Sequence, residues 1–284
     1  MAQSLRGTTG KGPRVWGLVA FKLLLVAGFV VATVFPLLWM AVCGLKEKNE
    51  VTRTPFKFFP EVFKWENYKQ ILDDPAFIRS IGITFTVAIL FALGSLVVNS
   101  MAAYVFARLE FIFKRVAWVV VIGTMFIPWM TILLTSFLVV SELHLVNKIW
   151  VLILPAMASA GQIFFIRQFY LGIPSSLEEA ALIDGASRFQ VFLRIFVPMS
   201  KGIFVVSGMS VFLAGWNTYV WAVITMSDPK MYVIQQYLTQ FRGERTTELG
   251  LLMAAATLSV IPVLILYFIF QRQIVQGARL SGFK

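Results

Sequence analysis

The sequence predicts an all-α integral membrane protein with six transmembrane helices. Three observations carry that prediction. Of 284 residues, 58% are hydrophobic and 14% are charged, whereas a soluble domain carries roughly 25% charged residues. A mean hydropathy of +0.80 excludes a soluble enzyme or binding module. Asp, Glu, Lys and Arg fall between long apolar stretches, so the net charge of +11 belongs to connecting segments and does not mark a nucleic-acid-binding face.

A bilayer core about 30 Å thick needs about 20 apolar residues of helix. Six stretches free of Asp, Glu, Lys and Arg approach or exceed that length: Leu23–Leu45, Ser80–Ala107, Val116–Ser141, Ile149–Ile166, Gly202–Ser227 and Leu249–Gln271. The first ends at Lys46-Glu47-Lys48 with no small-residue cleavage site, so it reads as a retained helix rather than a signal peptide. The chain divides into an N-terminal segment 1–22, a transmembrane region 23–271 and a tail 272–284. Lys and Arg number 14 in the segments on one side and 11 on the other. The positive-inside rule then places both termini and the 167–201 loop in the cytoplasm, and the 228–248 loop outside.

The chemistry available is narrow. Cys43 is the one cysteine and His144 the one histidine, which leaves no intrachain disulfide, thiolate metal site or His relay. None of the six stretches holds the Asp, Glu, His or Lys at depth that ion-coupled carriers use. Their polar groups are neutral, Asn99, Gln162 and Asn217 among them; these either bond a neutral polar solute or join helices. Pro36, Pro128, Pro155 and Pro262 lie within spans, where proline kinks a helix and frees a carbonyl. Gly7-Thr8-Thr9-Gly10-Lys11-Gly12 lacks the hydroxyl residue and the strand–helix setting of a phosphate loop, so nucleotide chemistry would belong to another polypeptide.

The 167–201 loop carries its own structure. Ser175 with Glu178, and Ser176 with Glu179, fit capping boxes and predict a helix from about Leu177, ended by Gly185. Ser187 with Gln190 opens a second helix, running to about Phe196 before Pro198. A helix lying on lipid favours Lys and Arg, whereas the first of these carries Glu178, Glu179 and Asp184; a protein partner fits better. Phe189, Phe192 and Phe196 either anchor in that partner or fold back on the bundle.

Glu179-Ala180-Ala181, three residues, Gly185, nine residues, Ile195, one residue, then Val197-Pro198 resembles the EAA loop of binding-protein-dependent ABC transporter permeases, with Val197 where leucine is usual. Pro36-Leu37-Leu38-Trp39-Met40, Asn67-Tyr68, the 103–109 segment, Asp184-Gly185-Ala186-Ser187 and Trp216-Asn217 narrow the resemblance to the carbohydrate-uptake branch, similar to the maltose permease G component. Gly82-Ile83 and Lys148 after Asn147 depart from it. The resemblance implies a type I importer permease fold in a bacterial or archaeal inner membrane. It also implies a second homologous permease, two ATP-binding cassette ATPase subunits holding ATP and Mg, and an extracytoplasmic solute-binding protein. The substrate would be an oligosaccharide or related sugar or polyol.

By the same resemblance, Glu179, Ala180, Ala181, Asp184, Gly185, Ile195 and Pro198 belong to a coupling helix and its support that dock on the ATPase. Gln240, Phe241, Arg242 and Gly243, near the tip of the 228–248 loop, contact the binding protein or form a plain connector. The tail contacts the ATPase or is disordered. Asn99, Trp216, Asn217 and Tyr219 are candidates for the sugar path, because aromatic faces stack on sugar rings and amides bond hydroxyls. Positions 216, 217 and 219 do not share one helical face, so at least one of them packs. A stand-alone secondary carrier would need the missing intramembrane charge. A membrane enzyme would rely on Glu142 and His144, which at i, i+2 point apart on a helix.

Overall fold

A computed structural model describes residues 13–48, 50–55, 57–242 and 248–282. Regular structure among them is helical throughout. In chain order α1 (Pro13–Cys43) and the short α2 (Trp65–Asp73) precede α3 (Pro75–Arg108), followed by α4 (Lys114–Thr124), α5 (Leu133–Glu142) and α6 (Ala160–Leu171). Next come α7 (Ser175–Ile183), α8 (Arg188–Met199), α9 (Lys201–Trp216), α10 (Val220–Thr225), α11 (Ile234–Thr239) and α12 (Leu249–Gly282).

Helices α1, α3 and α12 are each long and apolar enough to cross a membrane unaided. The other three spans are broken. Helix α4 meets the Trp129–Glu142 segment at 94°, the turns of Ile149–Ala156 meet α6 at 52°, and α8 meets α9 at 82°. The six expected spans are thus three continuous helices and three bent pairs. In the fifth stretch the long helix ends at Trp216 and a separate short helix, α10, follows at Val220–Thr225, and α12 runs past 271 to Gly282. Pro128 and Pro155 stand at breaks, where their missing N–H costs nothing; Pro36 and Pro262 are absorbed inside α1 and α12.

Helix α3 is the central post. Asp74 caps it by accepting the Ala76 N–H at 2.8 Å, with Pro75 in the first turn, as helix N-termini favour. It packs on α6 and α9. At Gly215 of α9 a Cβ would lie 3.1 Å from the Ala88 Cα, so small residues set the close approach of the two helices. One apolar core gathers Val87, Phe91, Phe212, Trp216, Ile234 and Tyr237. A second, at the C-terminal end of α3, gathers Tyr104, Ile166, Tyr170, Val191, Phe192 and Phe196.

The exit of α1 is tied down by α2. Asn67 donates to the Gly44 and Lys46 carbonyls at 3.0 and 3.1 Å, and the Tyr68 hydroxyl donates to the Ala41 carbonyl at 2.8 Å. Gly250 of α12 closes this junction: a Cβ there would sit 2.7 Å from the Lys46 oxygen and 2.9 Å from Asn67 Nδ2. Gly250→Val is therefore expected to destabilise the chain by about 1–3 kcal/mol, the usual cost of overpacking. Thermal unfolding in detergent checks this, and a melting curve matching the parent would show that the junction yields.

Candidate functional site

Helix α7 begins at Ser175, two residues ahead of the expected start, with Pro174 before it and no side-chain cap. Neither predicted capping box at Ser175 or Ser176 forms, because both serines lie inside the helix after Pro174 at the N-cap; Glu178 is turned inward. Its side chain is 7% exposed. Its Oε1 accepts from Arg188 Nη1 at 2.5 Å and from the Tyr104 hydroxyl at 3.3 Å, and its Oε2 lies 3.8 Å from Arg108 Nε. Arg108 also donates from Nη2 to the carbonyls of Tyr170, at 2.7 Å, and Ile173.

The end of α7 follows the sequence expectation. Gly185 has φ +84°, its N–H donates to the Leu182 carbonyl at 3.1 Å, and the Ala186 N–H donates to the Ala181 carbonyl at 3.0 Å. This is the Schellman pattern, for which glycine is suited because the left-handed conformation carries no Cβ penalty. The Ser187–Gln190 box also forms, with bonds of 2.7 and 3.3 Å. Helix α8 then continues through a π-turn at Phe192–Phe196 to Met199, so Pro198 lies within the segment instead of following its end. Phe192 and Phe196 fold back on Tyr104, at ring separations of 5.4 and 4.9 Å; Phe189 stays exposed.

The result is a helix pair with a fixed inner face and a bare outer one. Glu179, Ala180, Asp184, Gly185 and Pro198 are exposed, and Ile183 is 86% exposed. Ala181, Asp184, Gly185, Arg194 and Ile195 meet at a 400 Å³ cleft between α7 and α8.

A second concavity, of 510 Å³, opens between the breaks of the third and fourth spans and the C-terminal end of α9. Phe91, Trp129, Tyr219 and Trp221 supply aromatic surface, and Ser136, Asn217 and Thr218 supply neutral hydrogen-bonding groups; no lining residue is Asp, Glu, Lys, Arg or His. Its volume falls in the range of about 300–1,000 Å³ typical of small-molecule sites. Asn217 donates to the Leu213 carbonyl at 2.9 Å and accepts from Gln235 Nε2 at 3.4 Å. The Trp221 indole is held by the Val151 carbonyl at 2.8 Å.

The profile described as "Binding-protein-dependent transport system inner membrane component" matches residues 100–280. The chain belongs to that family. This permease is 31% identical over 254 residues to the probable ABC transporter permease protein YurM of Bacillus subtilis, an alignment covering 88% of this chain and 83% of YurM. It is 27% identical over 266 residues to the lactose transport system permease protein LacG of Rhizobium radiobacter, covering 93% and 95% of the two chains. In fold it is similar to a chain of a bacterial ABC transporter involved in the import of the acidic polysaccharide alginate. The TM-score is 0.79 at 21% identity, over 96% of this permease and 100% of that chain.

The four residues expected along a sugar path are separated by the fold. Asn217 and Tyr219 line the cavity. Trp216 is buried against Phe212 and Phe85 in the core, so it is the packing member of its trio. Asn99 is fully buried and its amide is committed to backbone: Nδ2 donates to the carbonyls of Ser95 and Met157 at 2.7 and 3.0 Å, and Oδ1 accepts the Ser159 N–H at 2.9 Å. In the 228–248 segment, Gln240 and Arg242 are exposed, while Phe241 packs edge-on to Tyr237 at 5.4 Å. Gly243, like residues 1–12, lies outside the described residues. Tyr237 ties this segment to α3 by donating to Asp74 Oδ2 at 2.6 Å; burial, and then the Asp74 carboxylate, push its phenol above the usual range, so it remains a donor.

Sequence reasoning missed Trp129 and Trp221 in the cavity, Ile183 on the outer face of α7, and the inward role of Glu178. Trp129 beside Pro128 and Trp221 just after Trp216-Asn217-Thr218-Tyr219 stand next to residues the sequence singled out, but which of them line the cavity depends on where the spans break. The Glu178–Glu179 pair carried no signal, because adjacent acids differ only in which way the helix is turned.

Proposed function

We propose that this permease is one transmembrane subunit of an ATP-driven, binding-protein-dependent importer for an oligosaccharide or a related sugar or polyol. It works with a second homologous permease, two ATPase subunits that hold ATP and Mg, and an extracytoplasmic solute-binding protein. The α7–α8 pair faces the cytoplasm and docks on the ATPase through Glu179, Ala180, Asp184 and Gly185, with Ile183 beside them. The carrying observation is that pair's construction: bonded to α3 on one face and presenting an apolar and acidic ridge on the other. A surface that exposes Ile183 to this degree fits a partner better than water.

Substrate chemistry follows from the cavity. Neutral polar groups among aromatic faces suit a polyhydroxylated solute, and the names of relatives such as the lactose permease support that class. Rigid-body rocking of the spans about this cavity would expose it to each side in turn. An aromatic stacking contact is worth about 0.5–1.5 kcal/mol, so Tyr219→Ala is expected to lower uptake about 2–10-fold at a parental level of assembled complex. Uptake by reconstituted vesicles measures it; unchanged uptake across the sugars transported by the parent would remove Tyr219 from the path.

The primary test is purification of the tagged chain from its native membrane in mild detergent, with every co-purifying protein identified and counted. Two ATPase copies beside a second permease are expected. A chain that purifies alone, yet transports after reconstitution, would replace the importer with a secondary carrier.

A further inference from the structure

Glu178 stands one residue before the Glu179-Ala180-Ala181 triplet and faces away from the docking ridge. We propose that Glu178 is a positioning residue that fastens the α7–α8 pair to the end of α3, so that displacement of the pair is delivered to α3. This inference rests on the importer reading and deepens it by assigning the route that force takes.

The geometry sets two cations at different depths around one carboxylate. Arg188 belongs to the docking pair and is about half exposed, and its contact closes α8 onto α7. Arg108 belongs to the last turn of α3 and is mostly buried. The same Arg108 guanidinium holds the Tyr170 and Ile173 carbonyls, so it joins α3, the end of α6 and the start of α7 at one point. The Arg108 Nε is buried without a hydrogen-bond acceptor among the described residues. Its nearest acidic atom is Glu178 Oε2 at 3.8 Å, beyond hydrogen-bond range by about 0.6 Å. A small swing of α7 toward α3 completes that bond while Tyr104 guides the other carboxylate oxygen. The alternative routes from the docking pair are softer: α8 reaches α9 through an 82° bend, and α7 reaches α6 through the Gly172–Pro174 connection. Helix α3 is unbroken over 34 residues.

The experiment uses the complete complex in vesicles, comparing the parent with Glu178→Gln and Glu178→Asp. Sugar moved per ATP hydrolysed is measured beside amide hydrogen exchange across 175–191. Glu178→Gln is expected to speed exchange there and to lower transport per ATP by about tenfold, with Glu178→Asp recovering part of both because it keeps the charge. Parental exchange and parental transport per ATP in Glu178→Gln would overturn the proposal. If that variant fails to accumulate, Arg188→Gln and Tyr104→Phe each remove one arm and leave the carboxylate against Arg108. Faster exchange in either supports the clamp, and parental exchange in both overturns it. Should the parent complex contain no ATPase, the importer reading falls, and the exchange measurement alone still upholds or overturns the clamp.

Discussion

Replacing Asn99 with leucine is expected to destabilise the folded chain by about 2–6 kcal/mol, from two backbone groups orphaned at about 1–3 kcal/mol each. The fourth span unwinds between Ala156 and Ala160, which frees the Met157 carbonyl and the Ser159 N–H inside an apolar bundle. Such groups find no water in a bilayer core and must be satisfied by protein. The Asn99 amide meets both, donating to one and accepting from the other. Leucine has a similar volume but satisfies neither. Gly94 supports the same join from the next turn of α3: a Cβ there would lie 2.7 Å from the Met157 Cε. Scanning fluorimetry in detergent is the measurement. A melting temperature equal to the parent would show that another group takes over at the break.

The second large effect is on coupling. Gly185→Arg is expected to leave the amount of assembled bundle nearly normal while abolishing ATP-driven uptake, a loss on the order of 100-fold for a misplaced docking contact. A Cβ at Gly185 meets open space, so no overlap opposes the substitution. The left-handed backbone costs an ordinary residue about 1–2 kcal/mol. That is small beside the effect of a long cation thrust into the acidic ridge of Glu179 and Asp184. The relevant pair of readings is membrane level and uptake in one strain. Normal values for both would sink the docking assignment of this turn. A collapse of both would mean that Gly185 serves folding before it serves coupling.

Much of the architecture was legible because its signals are local or compositional. Charges confined to connections gave the six apolar segments. The Gly185 cap and the Ser187–Gln190 box were readable because each is decided within about five residues by backbone conformation and a single side-chain bond. The breaks in the spans were not readable. Pro36 and Pro128 look alike in sequence, yet one is absorbed by α1 and the other stands at a 94° bend. What separates such cases is whether neighbouring elements satisfy the freed backbone, as Asn99 does at Met157–Ser159 from 58 residues away. The role of Asn99 stayed open in the sequence for the same reason: a buried amide that bonds a solute and one that bonds a neighbouring helix have the same spelling. Trp216 and Tyr219 separated only when the helix ended at 216, turning one ring into the core and the next toward the cavity.

The lengths of the helices carry a consequence for the lipid. At about 1.5 Å per residue, the 34-residue α3 is about 51 Å long and the 16-residue α9 about 24 Å. A hydrocarbon layer of about 30 Å matches neither. One helix must lean or stand proud of the bilayer while the other falls short of it, so hydrophobic mismatch is built into the subunit. The joints beside the short pieces offer the compliance to absorb it, which makes bilayer thickness a mechanical load on those joints, two of which border the cavity.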